Sequence, residues 1–272
     1  MLATFFVHDG SDTAKWRLKG HAEEAFWQWM SGWALTIKTP ADIGYDAAGY
    51  DLPLLNIIEH IVSSEVGEED DGQQLLVPKL AATLNERRRA RRDSLVERCQ
   101  LAASLVDDEQ WLVWCDLNDE SALLTKMTGG TEVKGADNPD YKAQALQGFS
   151  TGEVRVLVSK PSIAGWGMNW QNCHNMIFVG HSDSYEMVYQ AIRRCWRFGQ
   201  IWPVNVYIIT SEAEGAVREN IKRKERQADE MYAKMARYSR ASLEAEVKRV
   251  QQDTDIYHAE REMKIPSWLT AA

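Results

Sequence analysis

Cysteine is scarce in this chain. Four residues, Cys99, Cys115, Cys173 and Cys195, are scattered over 272 positions with no CxxC pair among them. That spacing excludes a disulfide framework and the usual zinc clusters, and it predicts buried thiols of a reducing cytosol. Long apolar runs are missing too. No segment approaches the roughly 20 apolar residues that span a bilayer. The start, MLATFFVHDGSD, has no basic n-region and meets polar residues too soon for a signal peptide. The expected setting is soluble and cytoplasmic. The third absence is an excess of basic charge. A formal net charge of −9 argues against a general nucleic-acid coat protein, because phosphate binding leaves a basic footprint. Any nucleic-acid contact must then be local.

Two charge runs are present, acidic Glu68, Glu69, Asp70 and Asp71, then basic Arg87, Arg88, Arg89, Arg91 and Arg92. A solvated loop and helix face account for them, with a phosphate-binding strip as the alternative. From His21 to Ile37, the residues Phe26, Trp29, Met30, Trp33 and Ile37 recur at helical spacing and predict an amphipathic helix with its tryptophans in the core. Pro40 and the stretch DIGYDAAGYDLP break it. A second, strongly charged helix is expected from about Leu80 to Val106. Residues 1–107 thus read as a helical segment ahead of a domain boundary.

Beyond 107 the pattern changes. WLVWC (111–115), VRVLVS (154–159), MIFVG (176–180) and VNVYIIT (204–210) are strand-length and rich in β-branched and aromatic residues. Helical segments at 121–127, 139–149 and 184–198 separate them. Such alternation predicts an α/β fold, a parallel sheet covered by helices on both faces. From Glu212 onward the chain is charged and free of Pro and Gly after Gly215 as far as about Arg249, so residues 213–272 should form a helical extension. Trp268 and Leu269 are expected to dock near its end.

The most informative segment is DSYEMVYQAIRRCWRFGQ, residues 183–200. On a helix, Tyr185, Val188, Tyr189, Ile192, Cys195 and Trp196 share one broad face, while Gln190, Arg194 and Arg197 gather on the other. Arginines on a rigid element suit a triphosphate, because a guanidinium donates paired hydrogen bonds to phosphate oxygens and stays charged. A plain solvent-exposed face is the alternative. Cys195 falls on the apolar side and reads as packing, and His181 as a strand-end residue.

QAIRRCWRFGQ resembles motif VI of the Swi/Snf-like helicases of superfamily 2, the DEAD/DEAH-type enzymes, whose pattern maps without a gap onto Gln190, Ala191, Arg194, Arg197, Gly199 and Gln200. The resemblance implies that Arg194 and Arg197 face ATP held by another lobe and that Gln190 couples the lobes. VLVSKPSIAGWGMNWQNCHNMIFVG, residues 156–180, is similar to motif V, with Gly165, Gly167 and Asn169 in the places where backbone approaches phosphate and the interlobe cleft. Ser159, Lys160 and Ser162 would then touch a nucleic-acid backbone, which positions a strand without reading sequence.

Residues 111–121 and 135–158 resemble earlier parts of the same lobe, so the likeness covers about 108–212. WRLKGHAEEAFWQWMSGWA and ADIGYD look like the interlobe segment of phage-encoded members. The implied fold is a RecA-like second lobe, with helical N-terminal and C-terminal additions.

Neither a P-loop GxxxxGK[ST] nor a DEAD/DEAH box occurs in the chain, so nothing here would cradle ATP phosphates or place Mg²⁺. The chain begins where the family's first lobe would be ending, as expected of a truncated, split or separately encoded gene. ATP and Mg²⁺ are expected only in complex with a P-loop-containing first lobe or its fused counterpart, with DNA as the other partner. A non-catalytic nucleic-acid- or protein-binding relic is the alternative.

Overall fold

The structure, a computed structural model, describes residues 2–9, 12–34, 36–37, 39–63, 91–165, 167–180 and 184–247. The acidic run at 68–71, Arg87–Arg89, His181 and the segment with Trp268 and Leu269 lie outside the described residues. The chain forms two compact units, Met1–Tyr50 with Gln227–Ala272, and Asp51–Arg226.

In the smaller unit α1 (Leu2–Phe5) leads into an antiparallel pair, β1 (Phe6–Asp9) and β2 (Asp12–Leu18), followed by α2 (Glu23–Ser31). Its core gathers Phe5, Ala22, Phe26, Trp27 and Met235. The helix expected over 21–37 is shorter. It ends at Ser31, whose hydroxyl bonds back to the Gln28 carbonyl, and Gly32, a weak helix former, caps it. The apolar face shifts accordingly. Trp27 is buried, whereas Trp29 and Trp33 are 38% and 63% exposed, so those two tryptophans are not core.

The larger unit holds β3 (Leu55–Val62), α3 (Leu95–Leu105), β4 (Trp111–Cys115), α4 (Asn118–Thr128), β5 (Thr131–Val133), α5 (Pro139–Thr151), β6 (Val156–Ser159), α6 (Pro161–Ala164), β7 (Asn175–Val179), α7 (Tyr185–Ile192) and β8 (Val204–Ser211). The helix α8 (Gly215–Val247) follows. The sheet is parallel throughout, in the order β3-β8-β7-β4-β6-β5.

The four expected strands are β4, β6, β7 and β8, and their continuous apolar runs follow from burial on both faces. Alternation along β4 shows why. Leu112 and Trp114 pack with Phe149 of α5 and Val188 of α7, while Trp111, Val113 and Cys115 pack with Cys99 of α3 and Leu124 of α4. The chain runs from β4 to β5, returns through β6, and crosses over β4 to reach β7. That makes β4 the strand at which the winding reverses, and the carboxyl ends around such a strand form the ligand crevice of open α/β sheets.

Four strands were not foreseen: β1 and β2, which contradict the helical reading of residues 1–107, and in this sheet β3 and β5. β5 is three residues long. β3 lies in the segment read as helical, where Ile57, Ile58, Ile61 and Val62 are β-branched residues suited to a pleated surface. β3 pairs with β8 in register from Leu55↔Val204 to Val62↔Ser211, so the larger unit starts at Asp51, whereas the composition shift placed boundaries near 107 and 212.

An asparagine ladder fixes this register. Asn56 donates to Asn205 at 2.9 Å, Asn205 to Asn175 at 3.1 Å, and Asn175 to the Glu109 carboxylate at 2.6 Å. Replacing Asn205 by alanine strands both neighbours in partly buried surroundings. The expected loss is about 1–3 kcal/mol, read as a lowered urea midpoint, and an unchanged midpoint would mean the ladder is ornamental.

Candidate functional site

The carboxyl ends of β4, β6 and β7 enclose a crevice lined by Trp114 and Asp116, Lys160 and Ser162, and Gly180, with Met187 of α7 closing one side. Lys160 is half-buried and Ser162 is exposed. Ser159 is different. It is fully buried and its hydroxyl donates to the Val133 carbonyl at 2.9 Å, so it serves the β5–β6 edge and is not available to a nucleic-acid strand.

The loop after β6 turns back across the sheet. Gly165 closes α6, its N–H reaching the Pro161 carbonyl at 2.9 Å. A Cβ there would stand 2.2 Å from that carbonyl oxygen, so this glycine is required by the chain's approach to itself. Gly167 has φ +79°, a left-handed conformation that glycine adopts without cost, and faces open space. Asn169 is exposed and accepts a hydrogen bond from Nη1 of Arg197. Here the residues of the two sequence motifs meet.

The arginine stripe is arranged otherwise than a helix running to 198 would place it. α7 ends at Ile192 and residues 193–199 continue as turns, closing at Gly199 with φ +91°. Arg194 is 9% exposed and turned inward. Its Nε donates to the Gln190 carbonyl at 3.0 Å, its Nη2 to the Gln190 side chain at 3.2 Å, and its Nη1 to the Met168 carbonyl at 3.1 Å. Burial above all, and then Arg197 and Arg193 nearby, lowers its pKa from the usual guanidinium value. Arg197 is half-buried, and its Nε, itself buried, has no acceptor among the described residues. Gln200 pins the turn from beneath, donating to the carbonyls of Cys173 and Cys195 while its own oxygen accepts the N–H groups of Ile201 and Trp202. Cys195 is fully buried and burial raises its thiol pKa, as befits a packing residue.

A network of buried charge behind the crevice escaped the sequence reading. Arg91 contacts Glu214 at 2.9 Å and Asp116 at 2.6 Å; Arg98 contacts Glu120 at 2.7 Å, both side chains being fully buried. Burial opposes the charge on Arg91, but Glu214, Asp116 and Glu120 together outweigh it and raise its pKa. Glu120 also accepts the N–H groups of Asp116 and Leu117, and Glu214 that of Ser211. These ties hold the ends of β4 and β8 and one wall of the crevice. The available signal was Arg98, a charge on the apolar stripe of Leu95 and Ala102. Arg91, read as part of a solvated or phosphate-binding run, is instead an internal ion-pair partner.

A parallel, helix-flanked sheet with a crevice at the reversal strand defines an open α/β lobe. Residues 95–199, which hold β4 to β7, match the model of the helicase conserved C-terminal domain. No curated protein matches the chain.

Among solved structures the chain is similar to the C-terminal part of the Fun30 ATPase domain, at 12% identity and a TM-score of 0.42 over 58% of this chain and 55% of that one. It is also similar to a DEAD box protein from the hyperthermophile Methanococcus jannaschii, at 18% and 0.42 over 47% and 37%. A third is the Escherichia coli DEAD-box protein SrmB bound to regulator of ribonuclease activity A, at 15% and 0.41 over 48% and 79%. The chain therefore spans less than two thirds of the first two. Among the described residues no helix is long and apolar enough to cross a membrane.

Proposed function

We propose that this chain supplies the second lobe of a cytoplasmic, Swi/Snf-like, phage-type ATP-dependent DNA helicase or translocase, with ATP and Mg²⁺ held by a P-loop-bearing first lobe. A helicase C-terminal domain works against an N-terminal helicase lobe and nucleic acid, and the 272 residues carry neither P-loop nor acidic box.

One observation carries the reading. The motif V and motif VI segments meet at the Asn169–Arg197 contact, where Arg197 is partly exposed and has no carboxylate partner among the described residues. A γ-phosphoryl group on the opposite lobe would meet that guanidinium, which stabilises charge developing in transfer. Gly167 leaves room for close approach, and Gln190 braces the same corner. Lys160 and Ser162 in the crevice would take a DNA strand by its phosphates.

The isolated chain is expected to hydrolyse no ATP; arginine-dependent turnover by pure chain would sink the proposal. For the DNA arm, Lys160→Ala is expected to weaken binding of a fluorescent oligonucleotide evenly across sequences and to reduce the slope of log K against log salt by about 1. An unaltered slope would move the strand away from this crevice.

A further inference from the structure

We infer that the two motif VI arginines divide the work, with Arg197 the one aimed at phosphate and Arg194 a positioning residue that holds Arg197 in place through the segment 168–170. The inference rests on the proposed function for the role of Arg197, but the positioning itself is a property of the chain alone.

Three of Arg194's nitrogens already have acceptors inside the protein: Gln190 twice and Met168 once, at 3.0–3.2 Å. Its own carbonyl accepts the Trp170 N–H at 2.9 Å, so Met168 and Trp170 are both tied to residue 194, one on each side of Asn169. Two of its five N–H groups are left over, but a side chain this little exposed would have to break these bonds to turn outward to a ligand, leaving acceptors unpaired at about 1–3 kcal/mol each. Arg197 stands in the opposite condition. Among the described residues its one side-chain hydrogen-bond partner is Asn169, the residue Arg194 brackets, and the side chain is partly exposed. The chain of dependence runs from Gln190 to Arg194, to the backbone around residue 169, and then to Arg197.

The test uses the whole chain labelled at arginine nitrogens. Arg194→Ala is expected to speed hydrogen exchange of the Trp170 amide at least 10-fold and to move the Arg197 Nε–H resonance. Arg197→Ala should leave Trp170 exchange as it was. Because the Arg194 variant removes a buried group and so puts folding itself at risk, the exposed Asn169 gives a second arm. Asn169→Ala should shift the Arg197 resonance, while Asn169→Asp, which keeps an acceptor, should restore the wild-type position. An Arg197 signal indifferent to both Asn169→Ala and Arg194→Ala overturns the inference. So does a Trp170 amide released as fully by Arg197→Ala as by Arg194→Ala. These readings need no ATP and no partner. If they come out as expected while every P-loop partner fails to gain ATPase activity, the functional proposal falls and the positioning relation stands.

Discussion

Replacing Glu120 by alanine is expected to cost about 3–5 kcal/mol, because it leaves the Arg98 guanidinium buried without its counter-charge. Arg98 and Glu120 are both fully buried, 2.7 Å apart. The same substitution strands the N–H groups of Asp116 and Leu117, each held at 2.9 Å by the lost carboxylate. Against a typical domain stability of about 5–15 kcal/mol, that is enough to leave the sheet unit marginal. Urea unfolding of the single variant and of Arg98→Met with Glu120→Ala decides the mechanism. The double variant should lose less than the single one, because the unpaired charge goes with its partner. Equal losses would mean that lost packing, not the stranded charge, dominates. Gly180 belongs to the same network. A Cβ there would lie 2.9 Å from Nη1 of Arg98, at a φ of +79°.

The second large effect is on catalysis. Once the chain is joined to a first lobe that gives it ATPase activity, Arg197→Ala should lower turnover by roughly 10³ or more, the scale of an arginine supplied to a transferring phosphoryl group from across an interface. The loss should fall on kcat rather than KM, because the guanidinium meets charge that develops in the transition state. The chain's unfolding midpoint should hardly change, since Arg197 is partly exposed and among the described residues makes a single side-chain hydrogen bond. A fall in turnover matched by a fall in stability would instead mark Arg197 as a structural residue.

The sheet was legible because its strands are buried on both faces. WLVWC and VNVYIIT can be continuous runs of apolar residues only if helices cover them on either side, and that pattern survives without any knowledge of partners. β3 was not legible for the complementary reason. Only partly buried at the sheet's edge, it mixes Asn56, Glu59 and His60 with its isoleucines, and its pairing with β8 spans 149 positions, as the Asn56–Asn205 bond shows.

The site divides in the same way. The family resemblance implied that Gln190, Arg194, Arg197 and Asn169 serve one cleft, and in the fold Gln190 touches Arg194 and Asn169 touches Arg197. Their orientation could not be read that way. A helical projection assumes the helix continues, and the pinned turn around Gln200 ends it at Ile192, turning Arg194 inward. Ser159 failed for a related reason: a strand-end serine looks available until an edge strand as short as β5 supplies its acceptor. The Arg91, Arg98, Glu120 and Glu214 network was invisible because charge in a sequence is read as solvent-facing, and only the fold shows that four such groups neutralise one another.

The most direct test of the central claim is ATP hydrolysis by this chain in the presence of DNA, alone and mixed with a P-loop-bearing first helicase lobe. The account predicts no turnover from either component alone and DNA-stimulated turnover from the mixture, abolished by Arg197→Ala. Turnover by the pure chain, or a mixture whose activity ignores Arg197, would contradict it.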